Sequence, residues 1–513
     1  MCLNSPSIQL TVNRSDTRRD RRGEKMLPGT SNTVGLLSFL GLLAIPIACY
    51  FLLPLIRSPL RRVPNAHWSS GLSSLWILWI RYRNRELAVL EEKHRQLGPI
   101  VRLGPDDLSI SCYENGARTI YNGGFEKPHY YDFFSYYARK NAFCSLSRQD
   151  HSLRRKRITA AFTKTTLFAS EPLYSLTQTI LLERLLPILQ QQAVSKEPAD
   201  VLSLSYGLSL DLLTCFQFGL SSGSNFVQAP ATLEPWVRHY EQRYCKEAFW
   251  PQELPTLTRC LNYLGIDMLP LSQYQSTQFL EDWLLGLCER AESVRLAAVQ
   301  GRKMPACNTP AVYQLVKKGV DADLPNASPD AKRREIASEL FDQMCLVLAY
   351  TIYYISQNPT AQERLRAELA TLEPTCSMQE PDHVMSNEPK TDAATGGSRL
   401  PSPGSMDKLP YLSAVLKESF RMRPTSTPLP RVTPRDRPVS LAGVDGIPPG
   451  TRVNVFQWFI HRNPENYDQV DEWQPERWMK AEPKDGKVPL LWAFGGGSRM
   501  CVGVSLTQYR TLS

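Results

Sequence analysis

Phe494-Gly-Gly-Gly-Ser-Arg-Met-Cys-Val-Gly503 is the stretch that decides how this 513-residue chain is read. It fits F-x-x-G-x-R-x-C-x-G at five fixed positions: Phe494, Gly497, Arg499, Cys501 and Gly503. Chance places that pattern in a chain of ordinary composition roughly once in ten thousand. A thiolate that ligates iron needs a loop holding its sulfur at fixed height, backbone N–H groups aimed at it and shielding from water. Gly495, Gly496 and Gly497 permit the tight turn, and Phe494 can cover the sulfur. The bland alternative is a buried structural cysteine in a glycine turn. The remaining cysteines, at 2, 49, 112, 144, 215, 245, 260, 288, 307, 345 and 376, form no C-x-x-C pair and no regular spacing. That argues against a disulfide scaffold or a zinc ribbon and for scattered buried thiols in a reducing compartment.

Composition bounds the rest. The chain is 42% hydrophobic and 21% charged, with 59 basic and 50 acidic residues, which is ordinary globular usage. Part of the basic excess is local: Arg14, Arg18, Arg19, Arg21, Arg22 and Lys25 stand against only Asp16, Asp20 and Glu24. What remains is too small and too dispersed to suggest a nucleic-acid partner, and none is expected. Val34–Ile56, VGLLSFLGLLAIPIACYFLLPLI, carries no charge over 23 positions. At about 1.5 Å per residue it just spans a hydrocarbon core of about 30 Å, so a single transmembrane anchor is expected there. Positive charge flanks both of its ends, so charge alone leaves the orientation open. The organisation expected is a basic segment over 1–33, the anchor over 34–56, a Pro-rich linker over 57–65 and a catalytic domain over 66–513. Leu72–Ile80, LSSLWILWI, is a candidate second contact with the membrane interface.

Within the body, Leu97–Ile110 (LGPIVRLGPDDLSI) predicts short strands broken by Gly-Pro turns. Residues 150–370 are mostly helical in pattern. One helix is sharply delimited, with Asn358 as N-cap, Pro359 at its first position and a stop at Pro374. Residues 374–405 are polar and rich in Pro, Gly and Ser, which predicts a surface loop.

With these residues in view, the chain resembles the cytochrome P450 family of haem-thiolate monooxygenases, in wording closest to membrane-bound filamentous-fungal members. Glu418-Ser-Phe-Arg421 resembles the family's E-x-x-R helix motif, an i, i+3 pair on one face. Glu92/Arg95, Glu292/Arg295 and Glu363/Arg366 share that spacing, so position selects Glu418, which precedes Pro475-Glu-Arg-Trp478. The resemblance implies that Arg477 completes a structural triad with Glu418 and Arg421. Asp150–Arg157 resembles the helix usually written W-x-x-x-R, with His151 in place of Trp and Arg155 as a propionate partner; a basic solvated face is the alternative. Leu429-Pro-Arg431 matches a further propionate-binding position, and Arg499 is another. Gly503 would let the next helix approach the porphyrin. His461 is expected to be structural. The fold implied is mainly α with a smaller β region, and the cofactor is haem b with Cys501 as axial thiolate, which favours O–O cleavage. Electrons would come from NADPH through a reductase, docked on a basic surface of Arg148, Arg154, Lys156 and Arg157.

The sequence departs from that family in two places. The distal helix should carry a small-residue pair, an acid and a proton-relay Thr, yet Arg334–Pro359 (REIASELFDQMCLVLAYTIYYISQNP) holds no Gly and no acid just before Thr351. Met344–Ala349 joins sequence that the family separates by about nine residues, or two and a half turns. Thr351 is therefore expected to be a helix residue beyond the active site. Tyr509–Ser513 is not expected to continue the apolar helix after Cys501. The distal helix and the C-terminal β region are thus expected to be incomplete, through the gene model or as a natural variant. The function expected is oxidation of a lipophilic small molecule by hydroxylation, epoxidation or multi-step oxidation, in specialised metabolism at the endoplasmic reticulum membrane with a cytosolic catalytic domain. The alternative is a haem-binding variant without oxygen activation. Asn13-Arg-Ser15 is a glycosylation sequon if luminal, whereas Asn326-Ala-Ser328 would face the cytosol.

Overall fold

The Gly-Pro-punctuated stretch folds as its alternation dictates. In the computed structural model, which describes residues 58–340, 347–373, 400–424, 428–479 and 489–512, it forms β1 (Ile100–Gly104) and β2 (Asp107–Ile110), paired antiparallel with Ile100 opposite Ile110. Further strands are β3 (Arg431–Val432), β4 (Val439–Leu441), β5 (Val444–Ile447) and β6 (Arg452–Val455). The larger sheet runs β1-β2-β6-β3, with β6 parallel to β2 and antiparallel to β3. Because successive side chains leave opposite faces of a strand, β1 serves two cores. Val101 and Leu103 pack with Ile77 and Leu90, while Ile100 joins Leu108, Ile110, Val453 and Trp492. The β4–β5 hairpin turns through Ala442 and Gly443, both at positive φ (49° and 80°), the pattern whose twist matches the flanking strands.

Helices make up most of the rest. In Leu271–Val299 the buried residues Leu280, Leu284, Leu287 and Ala291 recur at three- and four-residue spacing, one apolar stripe facing the core. Val201–Phe218 is apolar and long enough to cross a membrane by composition. It is instead a core helix, packed through Leu208, Leu212 and Leu213 in one cluster with Leu284, Val312 and Val316. Its buried Asp211 accepts from the Ser224 hydroxyl and from the N–H groups of Phe226 and Val227, so the charge anchors the following chain reversal.

The anchor expected over 34–56, the basic segment 1–33 and the Asn13 sequon lie outside the described residues, as does the polar loop over 374–399. Pro59–Arg62 forms a 3-10 turn whose Leu60 is fully buried. The expected boundaries near 358–374 need correction. The helix spans Pro359–Leu369, and Asn358 makes no side-chain cap bond; its amide donates instead to the Tyr354 carbonyl, 2.7 Å away. The C-terminal expectation is corrected too. Val504–Leu512 is helical, and Tyr509 is buried edge-on against Phe168, because its ring completes the core beneath Leu173 and Leu176.

Candidate functional site

The site begins with a lock on its proximal side. The helix Pro410–Met422 is almost wholly buried, and i, i+3 spacing puts Glu418 and Arg421 side by side. Arg421 donates to both carboxylate oxygens of Glu418, at 2.9 and 2.8 Å. Arg477 adds a third bond at 3.0 Å, and Trp478 Nε1 and the Gln474 N–H complete the shell. Arg421 also donates to the carbonyls of His461, Val470 and Glu472. The two guanidinium groups thus share one buried carboxylate, and backbone carbonyls take up further N–H groups of both. His461, fully buried, accepts from the Trp492 N–H at 3.0 Å. Burial and the neighbouring Arg421 push its pKa down to about 3, so it stays neutral.

Phe494 links this lock to the cysteine loop, its ring edge-on to Phe420 at 4.9 Å. The loop is held by Cys501 N–H donating to the Phe494 carbonyl at 3.0 Å. At Gly497, φ is +65° and a Cβ would lie 2.2 Å from the Tyr121 carbonyl oxygen, so only glycine fits. Cys501 is exposed and lines a cavity of about 260 Å³ together with Phe494, Arg499 and Gly503.

The same cavity gathers His151, Arg155 and Arg431, brought from the helix Arg148–Thr159 and from β3. Arg431 is buried, donates to the Tyr131 hydroxyl at 2.9 Å and lies over the Tyr121 ring at 4.5 Å. Arg499 donates to the carbonyls of Ser145, Leu146 and Ser147; burial, then Arg431, lowers its pKa to about 10. Arg155 donates to the Met500 carbonyl at 2.6 Å. Burial, reinforced by Arg499 and Arg155, holds His151 at about 3 and hence neutral.

Sequence reasoning missed Lys127. Its buried ammonium lines the cavity, donates to the Phe143 carbonyl and sits 4.1 and 4.3 Å from the Tyr131 and Phe143 ring centroids. Burial, Arg431 and Arg499 all depress its pKa. Nothing periodic marks Phe125-Glu-Lys-Pro-His-Tyr-Tyr131, so no sequence signal singles it out. Among the described residues, no carboxylate pairs with Lys127, Arg155, Arg431 or Arg499. Buried cations without counter-charge are costly. A flat group carrying two carboxylates and open to a sulfur ligand fits this donor set, which is the chemistry of haem.

Two expectations are corrected or placed. The basic docking surface loses half its members: Arg154 pairs with Glu335 and Glu339 at 2.7 and 2.6 Å, and Arg157 is buried against Asp323, Glu335 and Glu339. Only Arg148 and Lys156 stand exposed. Thr351 is buried, donates to the Val347 carbonyl at 2.8 Å, and is absent from the cavity lining, as expected; residues 344–346 of the Met344–Ala349 junction lie outside the described residues.

A family model described as Cytochrome P450 matches residues 335–510, which hold the lock and the cysteine loop. Among curated proteins, the cytochrome P450 monooxygenase avaI of Aspergillus versicolor is 25% identical over 438 residues, covering 80% of this chain and 92% of its own. The cytochrome P450 monooxygenase oblB of Emericella variicolor is 24% identical over 485 residues, covering 90% and 82%. The cytochrome P450 monooxygenase stcB of Emericella nidulans is 24% identical over 460 residues, covering 88% and 79%.

Proposed function

We propose, from the premise that this chain belongs to the cytochrome P450 family, that its cavity would hold haem with the Cys501 thiolate as its sulfur ligand and that the protein oxidises a lipophilic small molecule. Arg155, Arg431 and Arg499 would hold the two haem carboxylates, with neutral His151 beside them adding no charge. The single observation that carries this reading is the convergence of those uncompensated cations on the cavity that Cys501 lines. Haem bound through a thiolate supplies dioxygen reduction and C–H oxidation. The protein's own part is positional. The loop closed by Gly497 sets the sulfur's place, and Phe494, braced on Phe420, fixes the start of that loop. The lock of Glu418, Arg421 and Arg477 fixes the helix behind that loop.

The reaction proposed is hydroxylation, epoxidation or multi-step oxidation in specialised metabolism. Electrons would come from an NADPH reductase at the endoplasmic reticulum membrane, with the catalytic domain on the cytosolic side. Trp68, Leu75 and Trp79, each more than half exposed, support contact of the 68–79 region with a bilayer interface. A second reading, a haem protein without turnover, draws on Thr351, whose hydroxyl bonds Val347 rather than facing the cavity. Reconstitution with a reductase, NADPH and a panel of lipophilic compounds separates the two. Oxygenated product above a haem-free control is expected; neither product nor NADPH consumption above that control would favour the second reading.

A further inference from the structure

One wall of the cavity is a continuous run of aromatic rings. Tyr131 meets Phe143 at 5.6 Å, Phe143 meets Phe134 at 5.4 Å, and Phe134 meets Tyr244 at 6.2 Å, and all four line the cavity. Two of these contacts are edge-to-face, a geometry in which the face of one ring receives the edge of the next. The wall is braced from behind by Arg243. Its buried guanidinium donates to the carbonyls of Phe133 and Ser135 and to the Thr277 hydroxyl, and lies 6.0 Å from the Tyr244 ring. A braced aromatic wall loses little conformational entropy on binding and stacks best on a flat ring.

The charge of the cavity adds a second, independent constraint. Its described lining contains Lys127, Arg155, Arg431, Arg499 and Arg510 and no Asp or Glu, and Arg243 adds a cation behind the wall. Haem would bring two carboxylates and Cys501 one thiolate, while the ferric porphyrin core returns one positive charge. Counted over the described residues, the site therefore stays net positive even with Lys127 neutral. We infer that the cavity selects a flat aromatic compound that is neutral or acidic and excludes a cationic one. This deepens the haem-monooxygenase reading and rests on it. The two features disagree about one class of ligand, which makes the inference sharp: ring faces attract a quaternary ammonium, whereas the surplus of guanidinium charge repels it.

The test uses the full haem-loaded chain and naphthalene probes, whose fluorescence the haem quenches on binding. The probes are 2-naphthoate, 2-methylnaphthalene and (2-naphthylmethyl)trimethylammonium, a permanent cation that cannot ligate iron; decanoate is measured by displacement of bound 2-naphthoate. We expect 2-naphthoate and 2-methylnaphthalene to bind at least tenfold more tightly than the ammonium, and 2-naphthoate at least tenfold more tightly than decanoate. Phe134→Ala is expected to cost 2-naphthoate severalfold in affinity while the carbon-monoxide spectrum is unchanged. Equal or tighter binding of the ammonium, or of decanoate, overturns the inference, as does the absence of quenching by every probe in protein with a normal carbon-monoxide spectrum. Loss of that spectrum itself would instead overturn the haem reading beneath it.

Discussion

Two charged clusters, one buried and one partly so, lie close together in this protein and are built oppositely. In the lock, Glu418 receives three bonds from Arg421 and Arg477 and two more from Trp478 and Gln474, so both guanidinium groups share a buried counter-charge. In the cavity, Arg155, Arg431 and Arg499 find, among the described residues, only carbonyls, a hydroxyl and ring faces. The residue types overlap, yet the counter-charge separates a set that holds the fold from a set that holds a guest.

That contrast makes the two sets respond to mutation with different signs. Glu418→Ala strips the counter-charge from Arg421 and Arg477, and should cost about 3–5 kcal/mol, read from denaturant midpoints of the purified protein. A loss below 1 kcal/mol would mean the lock does not bear on stability. Arg431→Met removes a buried cation that has no counter-charge. The haem-free chain should hold or gain stability, while haem dissociates about 10- to 100-fold faster, matching the ~1.5–3 kcal/mol of a charged hydrogen bond. Stopped-flow transfer of haem to a scavenger protein measures it, and an unchanged rate would put the carboxylates elsewhere.

His461 tests the lock through pH. Its folded-state pKa of about 3 lies below the ordinary 6.5, so below pH 6.5 the unfolded chain gains a proton that the folded chain refuses. Its contribution is complete above pH 6.5 and falls by about 2 kcal/mol by pH 5. His461→Gln, which keeps an acceptor for the Trp492 N–H, should make the stability decline between pH 6.5 and 5 shallower by that amount; an identical slope would show that His461 titrates normally. The smallest effect is a control for spelling. Glu92 and Arg95 form the same E-x-x-R pattern, but their side chains are 48% and 69% exposed. Glu92→Ala should therefore change stability by less than about 0.5 kcal/mol, against several for the same substitution at Glu418.

How far the sequence carried the reading follows from these same residues. The lock and the cysteine loop were legible because each is spelled by a short local pattern, and position along the chain separated Glu418 from its look-alikes. The strands β1 and β2 were legible from Gly-Pro punctuation. The cavity's far wall was not, since Lys127, Tyr131, Phe134 and Tyr244 come from segments without a repeating pattern and are gathered only by tertiary packing. Arg154 and Arg157 were misread as surface because their partners Glu335 and Glu339 lie far along the chain, and a charge run looks the same on a solvated face as on a paired one. Asn358 stood where a cap belongs, but its amide had a better acceptor in the preceding helix. Tyr509 looked like the end of a helix until the core it fills was seen.

The measurement that bears most directly on the central claim is the reduced, carbon-monoxide difference spectrum of the expressed chain beside its Cys501→Ser variant. A strongly red-shifted Soret band in the parent, absent from the variant, is the result this account predicts, since a thiolate ligand to the haem is what shifts it so far. A parent without that band, or a variant that keeps it, would contradict the assignment of Cys501 as the sulfur ligand.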